Sequence, residues 1–179
     1  GVMYQGGALL GSMSLAENIA LPIQEYFPLP EEVLACMVKI KLGLVNLDGY
    51  QNRLPEDLSG GMVKRASIAR AMALDPKILF LDEPSAGLDP QTSVELDELI
   101  RNLNNSLGTT IIIVTHELPS IYRIADRVIL LDAKAQGIIA EGDPRLLRDK
   151  SQDSRVSNFF NPRSWHYADS GPYSGRKGE

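Results

Sequence analysis

The chain has 179 residues, of which 44% are hydrophobic, which is enough for one domain with a sizeable core. Its formal net charge of −5 argues against a broad surface for nucleic acid. A single cysteine, Cys36, excludes an internal disulfide, favours a reducing compartment, and is expected to be packed rather than reactive. No apolar run approaches the roughly 18 residues of a membrane-spanning helix, so we expect a cytosolic α/β protein.

The first part of the chain combines one short strand with helical patterns. Residues 2–4 are apolar and lead into Gln5, which predicts a strand that ends in a loop. The spacing of Ser14 and Glu17 predicts a capping box, and the helix that follows is expected to bend or restart near Pro22. A second helix is predicted from residue 31, with an apolar stripe made of Val33, Met37, Ile40 and Leu44.

Helices and strands alternate in the second part. A helix is predicted over residues 61–74, and the uninterrupted apolar residues 78–81 are typical of a strand covered on both faces in a parallel sheet. Asp89 caps a predicted helix that ends at Gly108. This alternation predicts parallel pairing from residue 77 onward, through crossover helices. The remaining predicted elements are strands over residues 111–114, 128–131 and 138–140, the last antiparallel to its neighbour, and helices over 121–125 and 145–150.

Polar side chains follow three of the predicted strands. Asp82 and Glu83 come directly after residues 78–81, and His116 and Gln5 end two other strands. The carboxyl ends of parallel strands form the ligand-binding edge of such a sheet. An acid in the position of Asp82 can hold Mg²⁺ beside nucleotide phosphates, and Glu83 is then close enough to activate an attacking water. A lone strand-end acid would more often be a cap or a solvated turn, but the pair within the run ILFLDEP, followed by SAGLDP, favours catalysis.

A serine and two glycines open the helix that precedes this strand. Ser59, Gly60 and Gly61 would leave backbone N–H groups uncovered and pointed at a docked anion, with the Ser59 hydroxyl as a further donor. On their own these residues would indicate only an ordinary capped helix. The run RLPED before them and the run VKRASIARA after them make the pattern far more specific.

Together, these motifs resemble those of ATP-binding-cassette (ABC) ATPases, in the order that the family has them, over roughly residues 1–150. The resemblance implies ATP and Mg²⁺ as cofactors. It assigns Gln5 to the loop that senses Mg²⁺, water and the membrane partner, and Asp82 to Mg²⁺. It assigns Glu83 to the general base, Asp89 to communication across a dimer and His116 to the switch at the γ-phosphate. The serine–glycine run matches the signature that reaches the nucleotide of a second subunit.

The implied fold class is α/β, with a P-loop NTPase-like core built on a parallel sheet, plus a helical subdomain. Four segments are predicted: residues 1–10 as the Gln5 end of the core sheet, 11–73 as the helical subdomain, 74–150 as half of the hydrolase core, and 151–179 as a mobile tail. Within the tail, Val156, Phe159 and Phe160 are expected to pack on a neighbouring subunit.

Finer features resemble the MCE-associated (Mla-type) ATPases, which energise phospholipid transport and organic-solvent resistance at bacterial envelopes. These features are residues 2–10, methionine as the fifth residue of LSGGM, residues 83–90, and the tail run DSRVSNFF. The implied partners are transmembrane permease subunits, a second copy of the ATPase, and MCE-type lipid-binding and accessory subunits, on the cytoplasmic face of the inner membrane. We expect the permease to contact a groove containing Leu9, Leu10, Met13 and Leu15.

The phosphate-binding motif of the family, GxxxxGK[ST], is not in this sequence. Gly6 and Gly11 have its glycine spacing, but Ser12 and Met13 stand where lysine and a hydroxyl residue are required. Residues 171–177 look similar, with the wrong glycine spacing. Because the chain also begins at Gly1 without methionine, we interpret it as an N-terminally truncated cassette. We expect ATPase activity in the intact parent and none from this piece alone.

Three alternatives stay open at the level of sequence. The parent could be an importer ATPase for amino acids or other small solutes, since the permease selects the substrate. It could be a non-transport ABC ATPase acting on nucleic acid or ribosomes, although residues 5–58 contain no heptads, cysteine pairs or basic cluster. It could also be a regulatory subunit with a degenerate site, against which the presence of Glu83 and His116 argues.

Overall fold

The structure, a computed structural model, describes residues 1–161, and these form two compact units that divide after Ile124. The first unit contains all the predicted site residues. Its elements are β1 (Val2–Met3), α1 (Leu15–Tyr26), α2 (Glu31–Leu44), a short 3-10 helix (Pro55–Asp57), α3 (Gly60–Ala71), β2 (Ile78–Asp82), α4 (Pro90–Leu107), β3 (Thr110–Val114) and α5 (Leu118–Ile124). The four-part subdivision predicted from the sequence stays a prediction.

A three-stranded parallel sheet lies at the centre of the first unit, in the order β1-β2-β3. Its register pairs Val2 with Phe80, and Phe80 with Ile112. The α/β class with a parallel sheet is therefore confirmed. The prediction of parallel pairing does not extend to the next strand, which lies in a separate antiparallel sheet.

Only one face of the central strand is fully covered. Leu79 and Leu81 are buried, whereas Ile78 and Phe80 on the opposite face are 46% and 45% exposed. The prediction of a strand covered on both faces is therefore wrong for this chain. An apolar run makes both faces of a strand suitable for burial, but burial also requires an element packed on each.

Helix α1 begins at the predicted capping box, because Ser14 Oγ accepts a hydrogen bond from the Glu17 N–H and the Glu17 carboxylate accepts one from the Ser14 N–H. The helix continues through Pro22 to Tyr26 and does not restart there. Proline removes only its own backbone donor, and the buried side chains of Ile19 and Ile23 hold the helix on both sides of it.

Helix α2 buries the predicted stripe only in part, since Met37 and Leu44 are half-buried against the core. Its buried residues are Leu34, Val38, Lys41 and Leu42. Val33 and Ile40, from the predicted stripe, are exposed, as is Cys36, so the expectation of a packed thiol is also wrong. The helix has apolar residues on two adjacent faces, and periodicity cannot choose between them.

The second unit contains β4 (Val128–Asp132), β5 (Gly137–Gly142), α6 (Pro144–Lys150) and α7 (Ser154–Phe160). The two strands form the predicted antiparallel hairpin. Residues 154–160, expected in a mobile tail, form a helix in which Val156 and Phe160 are buried. These two side chains are therefore not free to pack on a neighbouring subunit. The motif-like residues 171–177 lie outside the described residues.

Within residues 1–161, no helix combines the length and the apolar character needed to cross a membrane.

Candidate functional site

The carboxyl ends of β2 and β3 meet at one edge of the sheet. Asp82 pairs with Val114 in the parallel register, so Glu83 and Thr115 follow side by side. His116 comes one residue later, at the start of the loop after β3. The sheet thus brings together two segments that are more than thirty residues apart in the sequence, as the strand-end rule predicts.

The Glu83 carboxylate is held by two side chains from the end of β3. Its Oε1 lies 2.6 Å from His116 Nδ1, and its Oε2 accepts a hydrogen bond of 3.2 Å from Thr115 Oγ1. The backbone of Glu83 is left-handed, with φ of +45°, which is a strained conformation for a residue with a side chain. The strain turns the chain sharply at the end of β2 and directs the carboxylate towards β3.

The His116 ring is largely solvent-exposed, with 77% of its side chain accessible. The hydrogen bond with Glu83, and then the charge of that carboxylate, raise the pKa of His116 above its ordinary value. Because the carboxylate accepts, Nδ1 carries the hydrogen, so Nε2 is the ring nitrogen left for a ligand. This ring could therefore present a proton to an anion.

Asp82 and Gln5 lie at the same edge. Asp82 is the last residue of β2, and within residues 1–161 its carboxylate makes no hydrogen bond or ion pair. Gln5 follows β1 and is exposed, and its backbone carbonyl accepts a hydrogen bond from Lys64. The described residues contain no cluster of three or more His, Cys, Asp or Glu side chains able to hold a metal ion.

The start of α3 contains the serine–glycine run. Ser59 caps the helix, since its Oγ accepts a hydrogen bond of 3.3 Å from the Met62 N–H, which leaves its hydroxyl hydrogen free to donate. A Cβ atom on Gly61 would lie 2.5 Å from Thr92 Cγ2, so close packing against α4 requires glycine there. A Cβ atom on Gly60 would make only an ordinary contact, 3.5 Å from Leu88. Packing within this chain therefore requires glycine at position 61, whereas it would allow a larger residue at position 60.

Asp89 is the N-cap of α4. Its Oδ1 accepts from the backbone N–H groups of Gln91 and Thr92, and its Oδ2 from the Thr92 hydroxyl. The hydrogen bonds from Thr92 lower the pKa of Asp89. Within residues 1–161, no hydrogen bond connects Asp89 or the serine–glycine run to Glu83, so the site residues form two groups.

Sequence reasoning missed several residues that support the site. Lys64 on α3 is buried and donates to the backbone carbonyls of Gln5 and Glu83. Ser85 is also buried, and its hydroxyl donates over 2.7 Å to Glu117, the residue after His116. No local pattern identifies these contacts, because each joins segments that only the folded sheet brings together.

This fold and edge are those of an ATP-binding cassette: a parallel sheet with paired acids after one strand, a histidine after the next, and a glycine-rich helix start that precedes the strand with the acids. The chain belongs to the ABC transporter family, whose model matches residues 1–86.

Relatives with known names extend this similarity over most of the chain. It is 41% identical over 160 residues to the intermembrane phospholipid transport system ATP-binding protein MlaF of Escherichia coli K12, a match that covers 89% of this chain and 58% of MlaF. It is 40% identical over 163 residues to the probable ribonucleotide transport ATP-binding protein mkl of Mycobacterium tuberculosis H37Rv, covering 91% of this chain and 45% of mkl.

A solved structure agrees in fold. The dimeric, post-hydrolysis ATP-binding cassette MJ0796 bound to ADP and Pi matches with a TM-score of 0.69 and 28% identity, over 80% of this chain and 62% of that one. The chain therefore spans about half to three fifths of the length of its named relatives.

Proposed function

We propose that the intact protein containing this chain is the ATP-hydrolysing subunit of an ABC transporter that powers phospholipid transport of the MCE (Mla) type. The observation that carries the proposal is the 2.6 Å contact between Glu83 and His116 at the carboxyl ends of adjacent parallel strands. An acid and a histidine held together at that edge suit water activation beside a phosphate. The 41% identity to a protein named for phospholipid transport supports the substrate class.

Glu83 is the proposed general base. Among residues 1–161, the side chains that bond to its carboxylate are Thr115 and His116 at the end of β3, and no lysine or arginine forms an ion pair with it. A carboxylate in this state can orient a water and accept its proton. His116, with a raised pKa and a free Nε2, is the proposed contact to the phosphate from which the water displaces ADP.

Asp82 and Gln5 fit a magnesium ion bound with the nucleotide. Mg²⁺ prefers oxygen ligands and keeps much of its shell as water and phosphate oxygens, so one or two protein ligands suffice. Asp82 supplies a carboxylate without a protein partner in residues 1–161, and Gln5 supplies an exposed amide oxygen. When bound, Mg²⁺ would neutralise phosphate charge at this edge.

The second group of residues would serve the nucleotide of another subunit. The backbone N–H groups at Gly60 and Gly61 and the hydroxyl of Ser59 are suited to an anion at the start of α3. Asp89, at the start of α4, packs close to them through Thr92 and would lie at the same dimer interface. The dimeric state of the cassette MJ0796, with ADP and Pi bound, supports this arrangement.

The proposed partners are a second copy of the protein, transmembrane permease subunits and MCE-type lipid-binding subunits, with the ATPase on the cytoplasmic face of the inner membrane. Of the apolar residues predicted to contact the permease, Leu10 is 42% exposed and remains a candidate. Leu15 is fully buried, so it cannot be part of a surface that contacts the permease.

A ribonucleotide importer is the second candidate, because a relative of 40% identity is named for ribonucleotide transport. The two candidates share the ATPase chemistry and differ in the membrane partner. Transport of fluorescent phospholipid, compared with uptake of labelled ribonucleotide by the reconstituted complex, would separate them.

The ATPase proposal is tested with the intact protein purified together with the membrane proteins that accompany it. We expect Glu83→Gln to bind ATP and to lose at least about 100-fold in turnover, since general-base catalysis contributes about 10²–10⁴-fold. Glu95→Gln, an exposed glutamate in α4, is the control and should keep wild-type turnover. Normal turnover by Glu83→Gln would refute the base assignment, and an inactive wild type would refute the proposed function.

A further inference from the structure

Lys64 is a buried lysine whose ammonium group bonds to the main chain. Only 9% of the residue is exposed. Its Nζ donates to the carbonyl oxygen of Gln5 over 2.5 Å and to that of Glu83 over 3.2 Å. One side chain on α3 thus connects the loop after β1 with the turn after β2.

Two opposing effects act on the charged form of the Lys64 ammonium group. Burial lowers the pKa of Lys64, whereas the nearby carboxylates of Glu83, Asp82 and Glu117 act in the opposite direction. None of these carboxylates makes a direct ion pair with Lys64 within residues 1–161. An apolar residue at this position would avoid the cost of burying an ammonium group, but it would leave the carbonyls of Gln5 and Glu83 without the hydrogen bonds that Lys64 donates.

Both peptide groups of Glu83 are fixed from outside the turn. Its N–H donates to the Val114 carbonyl of β3 over 2.9 Å, and its own carbonyl accepts from Lys64 on α3 over 3.2 Å, in addition to a bond of 3.3 Å from the Ala86 N–H within the turn. Between these anchors the residue keeps its left-handed φ of +45°, a conformation that persists only where the surroundings impose it. The direction of the carboxylate towards His116 depends on that backbone conformation.

The loop after β1 is held by the same helix. Arg70 donates to the Gly7 and Ala8 carbonyls over 3.1 and 2.6 Å. A Cβ atom on Gly7 would lie 2.6 Å from Ser67 Oγ, so this loop is packed directly on α3. Lys64 is the residue on α3 that contacts both this loop and the Glu83 turn.

We propose that Lys64 is a positioning residue that ties the Gln5 loop to the Glu83 turn and holds the Glu83 carboxylate in register with His116. The role of Glu83 in hydrolysis rests on the function proposed above, whereas the geometry that Lys64 imposes does not. Movement of the Gln5 loop would reach the base through this ammonium group. Lys64 itself does not touch the reacting atoms.

The test uses Lys64→Met, which keeps the length of the side chain and removes its donors, and Lys64→Arg, which keeps donors. Lys41→Met is the matched control, since Lys41 is a second buried lysine, on α2 and paired with Asp75. In the intact protein we expect Lys64→Met to lower kcat about 10- to 100-fold with little change in KM for ATP, because small misplacements of a catalytic group cost about that much. Lys64→Arg should recover part of the loss, and Lys41→Met should keep the wild-type kcat.

NMR of the chain itself gives a readout that does not need ATPase activity. In Lys64→Met, the pKa of His116 should fall towards the value that His116 has in Glu83→Gln. In Lys41→Met, the pKa of His116 should stay unchanged. If Lys64→Met does not fold, the wild type still decides, since couplings between Lys64 Nζ and the carbonyl carbons of Gln5 and Glu83 are expected. Absence of these couplings, or an unchanged His116 pKa and kcat in Lys64→Met, would overturn the proposal. An inactive wild type with the expected NMR results would remove the proposed function and leave the positioning role intact.

Discussion

Glu83 and His116 are 33 residues apart in the sequence, yet Oε1 of Glu83 lies 2.6 Å from Nδ1 of His116. The parallel register of β2 and β3 sets this distance, because it ends both strands at one level. The left-handed backbone of Glu83 then turns its side chain across to β3. The pairing of the two strands therefore produces the contact, and the contact can be detected through the pKa of the His116 ring.

We predict that His116 titrates above its ordinary pKa and that Glu83→Gln removes the shift, because the hydrogen bond and charge of Glu83 cause it. Heteronuclear NMR of the ring nitrogens would measure this pKa. The sequence contains two histidines, His116 and His166, so in His166→Asn the one remaining histidine signal belongs to His116. An equal pKa in wild type and Glu83→Gln would contradict the contact.

The same shift predicts the pH dependence of stability. A raised pKa in the folded state means that the contact stabilises fully below the unfolded pKa of about 6.5, and that this contribution is lost as pH rises through the folded pKa. The free energy of unfolding of wild type should exceed that of Glu83→Gln by more at about pH 6 than at about pH 9. Urea denaturation at the two pH values measures the difference, and a gap that widens with pH would refute it.

Local signals in the sequence predicted the ends of helices well. The capping box at Ser14, the cap at Asp89 and the stop at Gly108, which has φ of +65°, all lie where the sequence places them. Each depends on chemistry within a few neighbouring residues, which a sequence displays directly. The meeting of the carboxyl ends of β2 and β3 was also predictable, because strands that alternate with helices along the chain pair in parallel.

Features that depend on distant packing were not predictable. The buried face of α2 includes Leu34 and Val38 in place of Val33 and Ile40, because these four residues are similarly apolar and periodicity does not distinguish them. The contacts of Lys64 join three segments, and nothing near Lys64 in the sequence distinguishes it from an exposed lysine. The catalytic and binding roles assigned to the site residues stay predictions until the variants are measured.

A third prediction concerns Asn18, which holds the loop before α1 through its hydrogen bonds. Its side chain is buried, accepts from the Leu10 N–H, and donates to the carbonyls of Leu10, Met13 and Ser14. We expect Asn18→Asp to lower the free energy of unfolding by about 3 kcal/mol or more, since it removes three donated hydrogen bonds and turns a buried carboxylate towards the carbonyl oxygens that accepted them. Asn104→Asp is the control, because Asn104 Nδ2 donates to a single acceptor among the described residues, the Thr109 carbonyl, and should cost about 1–2 kcal/mol. Equal costs in urea denaturation would contradict the network.

A fourth prediction concerns Asp97, a fully buried carboxylate on α4 that accepts from Ser120 and Arg123 on α5. Removing one partner of a buried ion pair costs about 3–5 kcal/mol, and the partial exposure of Arg123 places Asp97→Ala at the lower end. Glu95→Ala, on the same helix but half exposed beside Arg65, should cost less than about 1 kcal/mol. Chemical denaturation followed through amide signals of α4 would measure both, and similar losses would refute the distinction.

The last prediction separates the two glycines at the start of α3. Gly61→Ala places a methyl group 2.5 Å from Thr92 Cγ2, and Thr92 cannot rotate away without losing its hydrogen bond to Asp89. We expect a loss of about 1–3 kcal/mol in unfolding free energy, the usual range for overpacking. Gly60→Ala meets only an ordinary contact at 3.5 Å, so it should be neutral or slightly stabilising.

Two further measurements identify the cause. Thr92→Ser removes Cγ2 and keeps the hydroxyl that bonds to Asp89, so the double variant with Gly61→Ala should recover most of the lost stability. If it does not, the close packing of α3 against α4 is not the reason for Gly61. In the intact protein, Gly60→Ala should then lower ATP turnover without lowering stability, because its missing side chain serves the proposed approach of an anion rather than packing. Normal turnover by Gly60→Ala would exclude an anion at this helix start.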